Sequence, residues 1–216
     1  MEMYMNRRRQ GFTLVEIAIV LVIIGLLLSG MLKGQELIVQ GKIKSVANDL
    51  TGVSTAIYTY QDRYRKLPGD DNGASERWAG KTLSGKGDGA IGSTTVTAIL
   101  DCAGADQATD NCLLWQHLRL ANLITGDASS TAAPNNAGGG ILQVQQGALG
   151  LNGPVVCATG LSGKIAGAID AQLDDGKPGT GQVRGTRATN ALSPLQDGES
   201  AYIEDEAASY VICKPI

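Results

Sequence analysis

Aromatic residues are scarce in this chain: one phenylalanine, two tryptophans and six tyrosines make up 4% of 216 residues. Any core must therefore be aliphatic, and 29 glycines leave the remainder rich in turns. Histidine occurs once, at His117, with no nucleophile signature or metal-ligand spacing around it, so it reads as structural or surface. No C-x-x-C pair, G-x-S-x-G elbow or P-loop occurs. These absences leave no catalytic residue, cofactor or metal site to assign, and the chain reads as a non-enzyme.

Positive charge is also thin where it would matter for nucleic acids. Nine basic and sixteen acidic residues follow Leu67. An acidic segment of that kind repels phosphate backbones, so nucleic-acid contact by it is not expected.

What the chain does have is one long apolar run. Arg7, Arg8 and Arg9 precede Gly11, and from Phe12 to Leu32 the only charged residue is Glu16. At about 1.5 Å per residue, a helix of that length spans roughly 30 Å, enough to cross a bilayer. The arginines place its start on the cytoplasmic side and the rest outside. A secretory signal would end in small residues at an A-x-A-like site, and Leu28-Ser29-Gly30 imitates that poorly. A carboxylate deep in such a span costs on the order of 3 kcal/mol, so it calls for a partner. The span contains no Lys, Arg or His before Lys33. Cleavage between Gly11 and Phe12 would supply one, because the new Phe12 ammonium of one copy can pair with Glu16 of a neighbour.

Gly11-Phe12-Thr13-Leu14-Val15-Glu16, behind a short basic leader and ahead of the apolar run, resembles the prepilin signature of type IV pilins and type II secretion pseudopilins. The resemblance implies that a prepilin peptidase cuts after Gly11 and N-methylates Phe12, and that Glu16 supports methylation and sets subunit register. It implies as partners other pilin or pseudopilin subunits and an inner-membrane assembly platform driven by a cytoplasmic ATPase. The expected location is the bacterial inner membrane, single-pass, with the N-terminus cytoplasmic and the head periplasmic, and afterwards a periplasmic or surface filament. Gly25 falls where the family often has a helix-loosening glycine, whereas Lys33 stands where it often has proline. That departure favours a minor pilin or pseudopilin over a bulk pilus subunit. The rival reading is an exported binding or adhesin module on an uncleaved anchor, which does not polymerise. A secreted enzyme cut near Gly30 is a third.

Beyond Gly34 the apolar residues become one-sided. Val39, Ile43, Val46, Leu50, Val53, Ile57, Tyr60 and Tyr64 recur at steps of three and four, one face of a helix. That stripe reads as a surface for the chain's own head, with a coiled-coil seam as the other possibility. Leu67-Pro68-Gly69 should stop the helix. The expected plan is a leader at 1–11, a transmembrane and assembly helix at 12–34, an amphipathic stem at 35–66 and a head at 67–216.

Within the head, Asn111 to Thr125 predicts a helix capped by Asp110 or Asn111, with Leu114, Trp115, Leu118 and Ala121 inward and Gly126 past its end. Ser162 to Leu173 predicts another, ended by Gly176. Pro154 to Thr159 and Tyr210 to Cys213 read as strands, Val183 and Tyr202 are candidate seeds of others, and 131–140 reads as a mobile loop. The fold class is α+β, a long N-terminal helix on a small head with short helices and an antiparallel sheet.

Cys102, Cys112, Cys157 and Cys213 form an even set behind a membrane-targeting segment, which reads as two disulfides in an oxidising compartment. Three pairings are possible. Cys102 with Cys112 closes a short loop easily, and Cys157 with Cys213 would tie the last residues to the head, so that reduction should free the terminal strand. Asp70, Asp71 and Asp88 sit on glycine turns where calcium could gather them, with Asp174 and Asp175 a similar pair. Turn-forming and solubilising roles are the favoured reading of these acids, and no metal site is assigned to them.

Overall fold

A computed structural model describes residues 13–92, 102, 108–187, 201–204 and 208–216. It comprises two compact units, Met1–Gln40 and Gly41–Ile216.

A single helix, α1 (Leu14–Tyr64), supplies all the described structure of the first unit and opens the second. No proline interrupts it, and it passes through Lys33, whose ammonium pairs with Glu36 at 2.7 Å. Up to Gln40 its side chains are exposed apart from half-buried Gly34 and Val39, and large apolar residues such as Leu14, Leu21, Leu27 and Leu32 meet solvent all round. Among the described residues, α1 is the helix long and apolar enough to cross a membrane.

From Ile43 onward the helix is buried on one face. Ile43, Val46, Leu50, Val53, Ile57 and Tyr60 are buried, as the spacing predicts, together with Ala47, Ser54 and Ala56. Tyr64 is half-buried. The helix ends two residues before Lys66, because Arg65 turns left-handed at φ 55° while its N–H still reaches Gln61 O at 2.8 Å.

A short helix, α2 (Ala74–Arg77), follows, and then α3 (Asp110–Leu120). The cap is neither Asp110 nor Asn111: Thr109 occupies that position in extended conformation. Helix α3 also stops well short of Thr125. Asn122 is left-handed at φ 56°, the Leu123 N–H reaches Leu118 O, and the Asn122 N–H reaches Arg119 O. These two bonds are a Schellman closure with asparagine in the place usually taken by glycine, which is why Gly126 was the wrong stop signal.

The sheet has four antiparallel strands: β1 (Leu142–Ala148), β2 (Leu151–Ser162), β3 (Arg184–Arg187) and β4 (Ser209–Pro215), in the order β1-β2-β4-β3. Val155–Thr159 of β2 is buried without a break, as expected for a central strand covered on both faces. Helix α4 (Gly163–Leu173) follows β2 directly and packs on β2 and β4. Val155, Cys157, Val211 and Cys213 share a core cluster with Ala148, Leu149 and Leu151.

Two strand expectations change. Tyr202 lies outside any strand, and its hydroxyl instead donates to Asp170 Oδ2 at 2.7 Å. Strand β1 was unforeseen, since its glutamines resemble surface residues, yet Gln143 and Gln145 are buried. Gln143 Oε1 accepts from the Trp115 indole at 2.9 Å and from the Val144 N–H at 2.9 Å, so burial leaves that oxygen satisfied. The 131–140 segment is irregular, but buried Asn136 ties it down by donating to Ile141 O at 3.1 Å and Thr159 O at 2.9 Å.

The structure joins Cys102 to Cys112 and Cys157 to Cys213. Cys157 and Cys213 face each other directly across β2 and β4.

Candidate functional site

Gly11 and Phe12 lie outside the described residues, as do Arg7 to Arg9. Glu16, in the first turn of α1, is described. Its Oε2 accepts the Thr13 N–H at 2.9 Å and the Thr13 hydroxyl at 2.8 Å. The Glu16 N–H in turn donates to Thr13 Oγ1 at 3.3 Å. This is a reciprocal capping box, with Thr13 as N-cap and Glu16 as third helical residue.

The box corrects one step of the sequence argument. Glu16 has no intrahelical counter-charge, but it does have an intrahelical partner. Thr-x-x-Glu ahead of an apolar run is the local signal that would have identified it. Both side-chain bonds fall on Oε2, and among the described residues nothing bonds Oε1. The carboxylate thus completes its own helix start.

In the head, the apolar stripe of α1 leads to a cluster around Asp71. Tyr60 is fully buried, and its hydroxyl donates to Asp71 Oδ2 at 2.7 Å. Arg77 pairs with the same oxygen, and Oδ1 accepts the Gly73 N–H at 2.9 Å. Burial works to raise the Asp71 carboxyl, but these donors outweigh it and hold the group below the usual aspartate range. Arg77 also lies 4.4 Å from the centre of the Tyr64 ring. Asp71 is therefore committed to structure rather than to a shared site with Asp70 and Asp88.

His117 is completely buried and stacks near Tyr60, with ring centres 6.3 Å apart. Its Nδ1 accepts the Gly69 N–H at 2.9 Å, so Nε2 carries the proton and donates to Leu83 O at 3.0 Å. Burial lowers its pKa, with Leu83 and Asp71 opposing. The lone histidine braces the chain reversal after α1, with both ring nitrogens engaged by backbone.

Two groups of carboxylates converge among the described residues: Asp70 with Asp88 and Asp110, and Asp170 with Asp174 and Asp175. The second is bonded from within the chain. Asp170 takes the Gly176 N–H and the Tyr202 hydroxyl, Asp174 the Val183 N–H, and Asp175 the Lys177 N–H. In the first, Asp110 replaces Asp71 as the third acid, a juxtaposition that a separation of about forty residues hid from the sequence.

Comparison with known proteins bears on the N-terminus. The family model for the prokaryotic N-terminal methylation motif matches residues 6–32. The chain carries an N-terminal methylation motif. That motif contains Gly11, Phe12 and Glu16 and agrees with the resemblance to type IV pilins and pseudopilins drawn from the same residues. No curated protein matches the chain. Among solved structures, the major type IV pilin PilA1 from Clostridium difficile is similar at 14% identity over 81% of this chain and 96% of that one, with a TM-score of 0.37. A superposition that loose carries no argument about the head.

Proposed function

We propose that this chain is a pilin-type structural subunit, a minor pilin or pseudopilin, made as a prepilin and assembled into a filament through the apolar part of α1. A prepilin peptidase cuts between Gly11 and Phe12 and N-methylates Phe12. The helix then waits in the inner membrane with its N-terminus toward the cytoplasm, until an assembly platform moves it into contact with sibling subunits. Leaving lipid is favourable only where burial against other copies replaces burial in the bilayer, because both remove the same apolar surface from water.

The observation that carries this reading is the methylation motif placed on a helix whose exposed stretch up to Leu32 is largely apolar, with Glu16 as its one charge. Such a surface is far larger than a water-soluble monomer exposes. Within a packed bundle of these helices, Glu16 and the Phe12 ammonium of the next copy fix the axial step. A matched pair in that setting roughly breaks even, whereas an unmatched charge is penalised.

Mass spectrometry of the mature N-terminus tests the proposal. The expected species begins at a methylated Phe12. Retention of Arg7 to Arg9 would identify a signal-anchored binding module instead, and a start near Gly30 would identify a secreted protein.

A further inference from the structure

The residues around Asp110 form a pocket of negative charge that the chain itself leaves incomplete. Asp110 opens α3 and is only 2% exposed, yet neither of its carboxylate oxygens meets a donor in hydrogen-bond geometry, and the Gly92 N–H acts on the group only from further off. Buried carboxylates are almost always bonded, so a fully orphaned one calls for an explanation. Its carboxylate is aimed at two others: oxygens of Asp70, Asp88 and Asp110 all lie within 4.8 Å of one another.

Three stretches of chain build this convergence. Gly69 sits at φ +87° against Asp110 O, where a Cβ would come within 2.1 Å of that oxygen, so Asp70 and the start of α3 are held together. Asp70 is buried and accepts the Asp88 N–H on Oδ1 at 2.9 Å and the Gly89 N–H on Oδ2 at 2.8 Å. Asp88 is exposed and spends Oδ1 on the Ala90 N–H at 3.0 Å. Each Asp70 oxygen retains a lone pair, Asp88 retains Oδ2, and Asp110 retains both oxygens. The nearby cation, Lys86, is exposed and acts on Asp110 at a distance without forming an ion pair with it.

We propose that Asp70, Asp88 and Asp110 bind a calcium ion that ties the loop after α1 to the start of α3. The donor set is purely oxygen and sits partly on flexible glycine turns, which suits a hard cation with adaptable coordination better than magnesium, which demands a strict octahedron. Backbone carbonyls and water complete the shell. The excess of acid over base beyond Leu67 favours the cation further. The proposal stands independently of filament assembly.

The test uses the full-length chain in detergent, stripped with a chelator and titrated with calcium chloride by calorimetry and thermal unfolding. The expectation is one saturable site with an affinity in the range of about 10⁻⁴ to 10⁻³ M, typical of extracellular modules. Tenfold excess over that constant should raise Tm by about 3–6 °C. Asp88→Asn, at an exposed position that should fold normally, is expected to lose both the heat and the Tm rise. Asp110→Asn should lose them too while melting higher than the chelator-treated parent, because it removes the orphaned charge. An absent response at several times that concentration overturns the proposal. So does an unchanged response in Asp88→Asn, or an equal response to magnesium or to sodium chloride of matched ionic strength.

Discussion

The Tyr60 hydroxyl donates to Asp71 Oδ2 at 2.7 Å, joining the last buried turn of α1 to the loop that leaves it. The bond is made in a buried setting, where Asp71 also holds Arg77 and the Gly73 N–H. Tyr60→Phe keeps the ring packed against Tyr64 and Trp78 and removes only the donor. It should cost about 1.5–3 kcal/mol, the range for a hydrogen bond to a charged group. Asp71→Ala should cost more, because it strands both the hydroxyl and the Arg77 guanidinium. Denaturant unfolding of both single variants and the double variant measures the coupling. Additive losses would mean that the bond contributes nothing of its own.

His117 predicts a pH dependence of stability on the acid side of neutrality. Protonating Nδ1 would set a donor against the Gly69 N–H, and burial disfavours the cation further, so its folded pKa lies below the unfolded value of about 6.5. The unfolded chain then binds more protons than the folded one as pH falls through that value, and the stabilisation present above it is progressively lost. The slope from this group approaches about 1.4 kcal/mol per pH unit. Asp71, held below its ordinary value, adds a loss of the same sign only at lower pH, beneath about 3.9. Urea midpoints at pH 7.5 and pH 5.5 should therefore converge in His117→Asn relative to the parent. An unchanged difference would show that other groups carry it.

How far these sites were legible in the sequence depended on the range of the interaction. The stripe from Ile43 to Tyr60 was readable because a helix places residues three and four apart on one face whatever surrounds them. Strand β4 was readable for a similar reason, as a short apolar run before the end of the chain. Strand β1 was not, because Gln143 looks polar until Trp115, from another element, supplies its partner. The trio of Asp70, Asp88 and Asp110 was missed at its third member because only tertiary packing brings α3 to the Gly69 turn. Thr13 was hidden in a different way, although its signal is local: the partner of Glu16 within its own helix is a neutral donor and not an opposite charge.

Substitution at Thr13 and Glu16 separates two roles of one carboxylate. Glu16→Gln keeps an acceptor for the Thr13 N–H and so preserves the capping box, but it removes the charge. Thr13→Ala does the reverse, weakening the cap by about 1 kcal/mol and leaving the charge in place. If Glu16 acts in assembly by pairing with the Phe12 ammonium of a neighbour, Glu16→Gln and Glu16→Ala should both be cleaved after Gly11 yet enter filaments poorly. Thr13→Ala should be incorporated close to normally. Immunoblots of membrane and sheared-filament fractions read out both steps. Normal incorporation of Glu16→Gln would assign the residue to helix capping alone.

The Cys157–Cys213 bond changes the expectation that reduction frees the terminal strand. Strand β4 lies between β2 and β3 and is paired along both edges, with Cys213 opposite Cys157 on one side and Arg184 on the other. Removing the covalent link leaves those ladders and the burial of Tyr210, Val211 and Ile212 intact. The bond spans 56 residues, and in the chain-entropy model its loss costs about 4 kcal/mol, mostly through a freer unfolded state. The double variant Cys157→Ala/Cys213→Ala should therefore melt at a clearly lower temperature but cooperatively. Below that melt, the amides of Val211 and Ile212 should exchange as slowly, relative to global stability, as those of Val155 and Val156. Selective exchange or proteolysis of the last strand while β2 stays protected would show that the disulfide, and not the sheet, holds it.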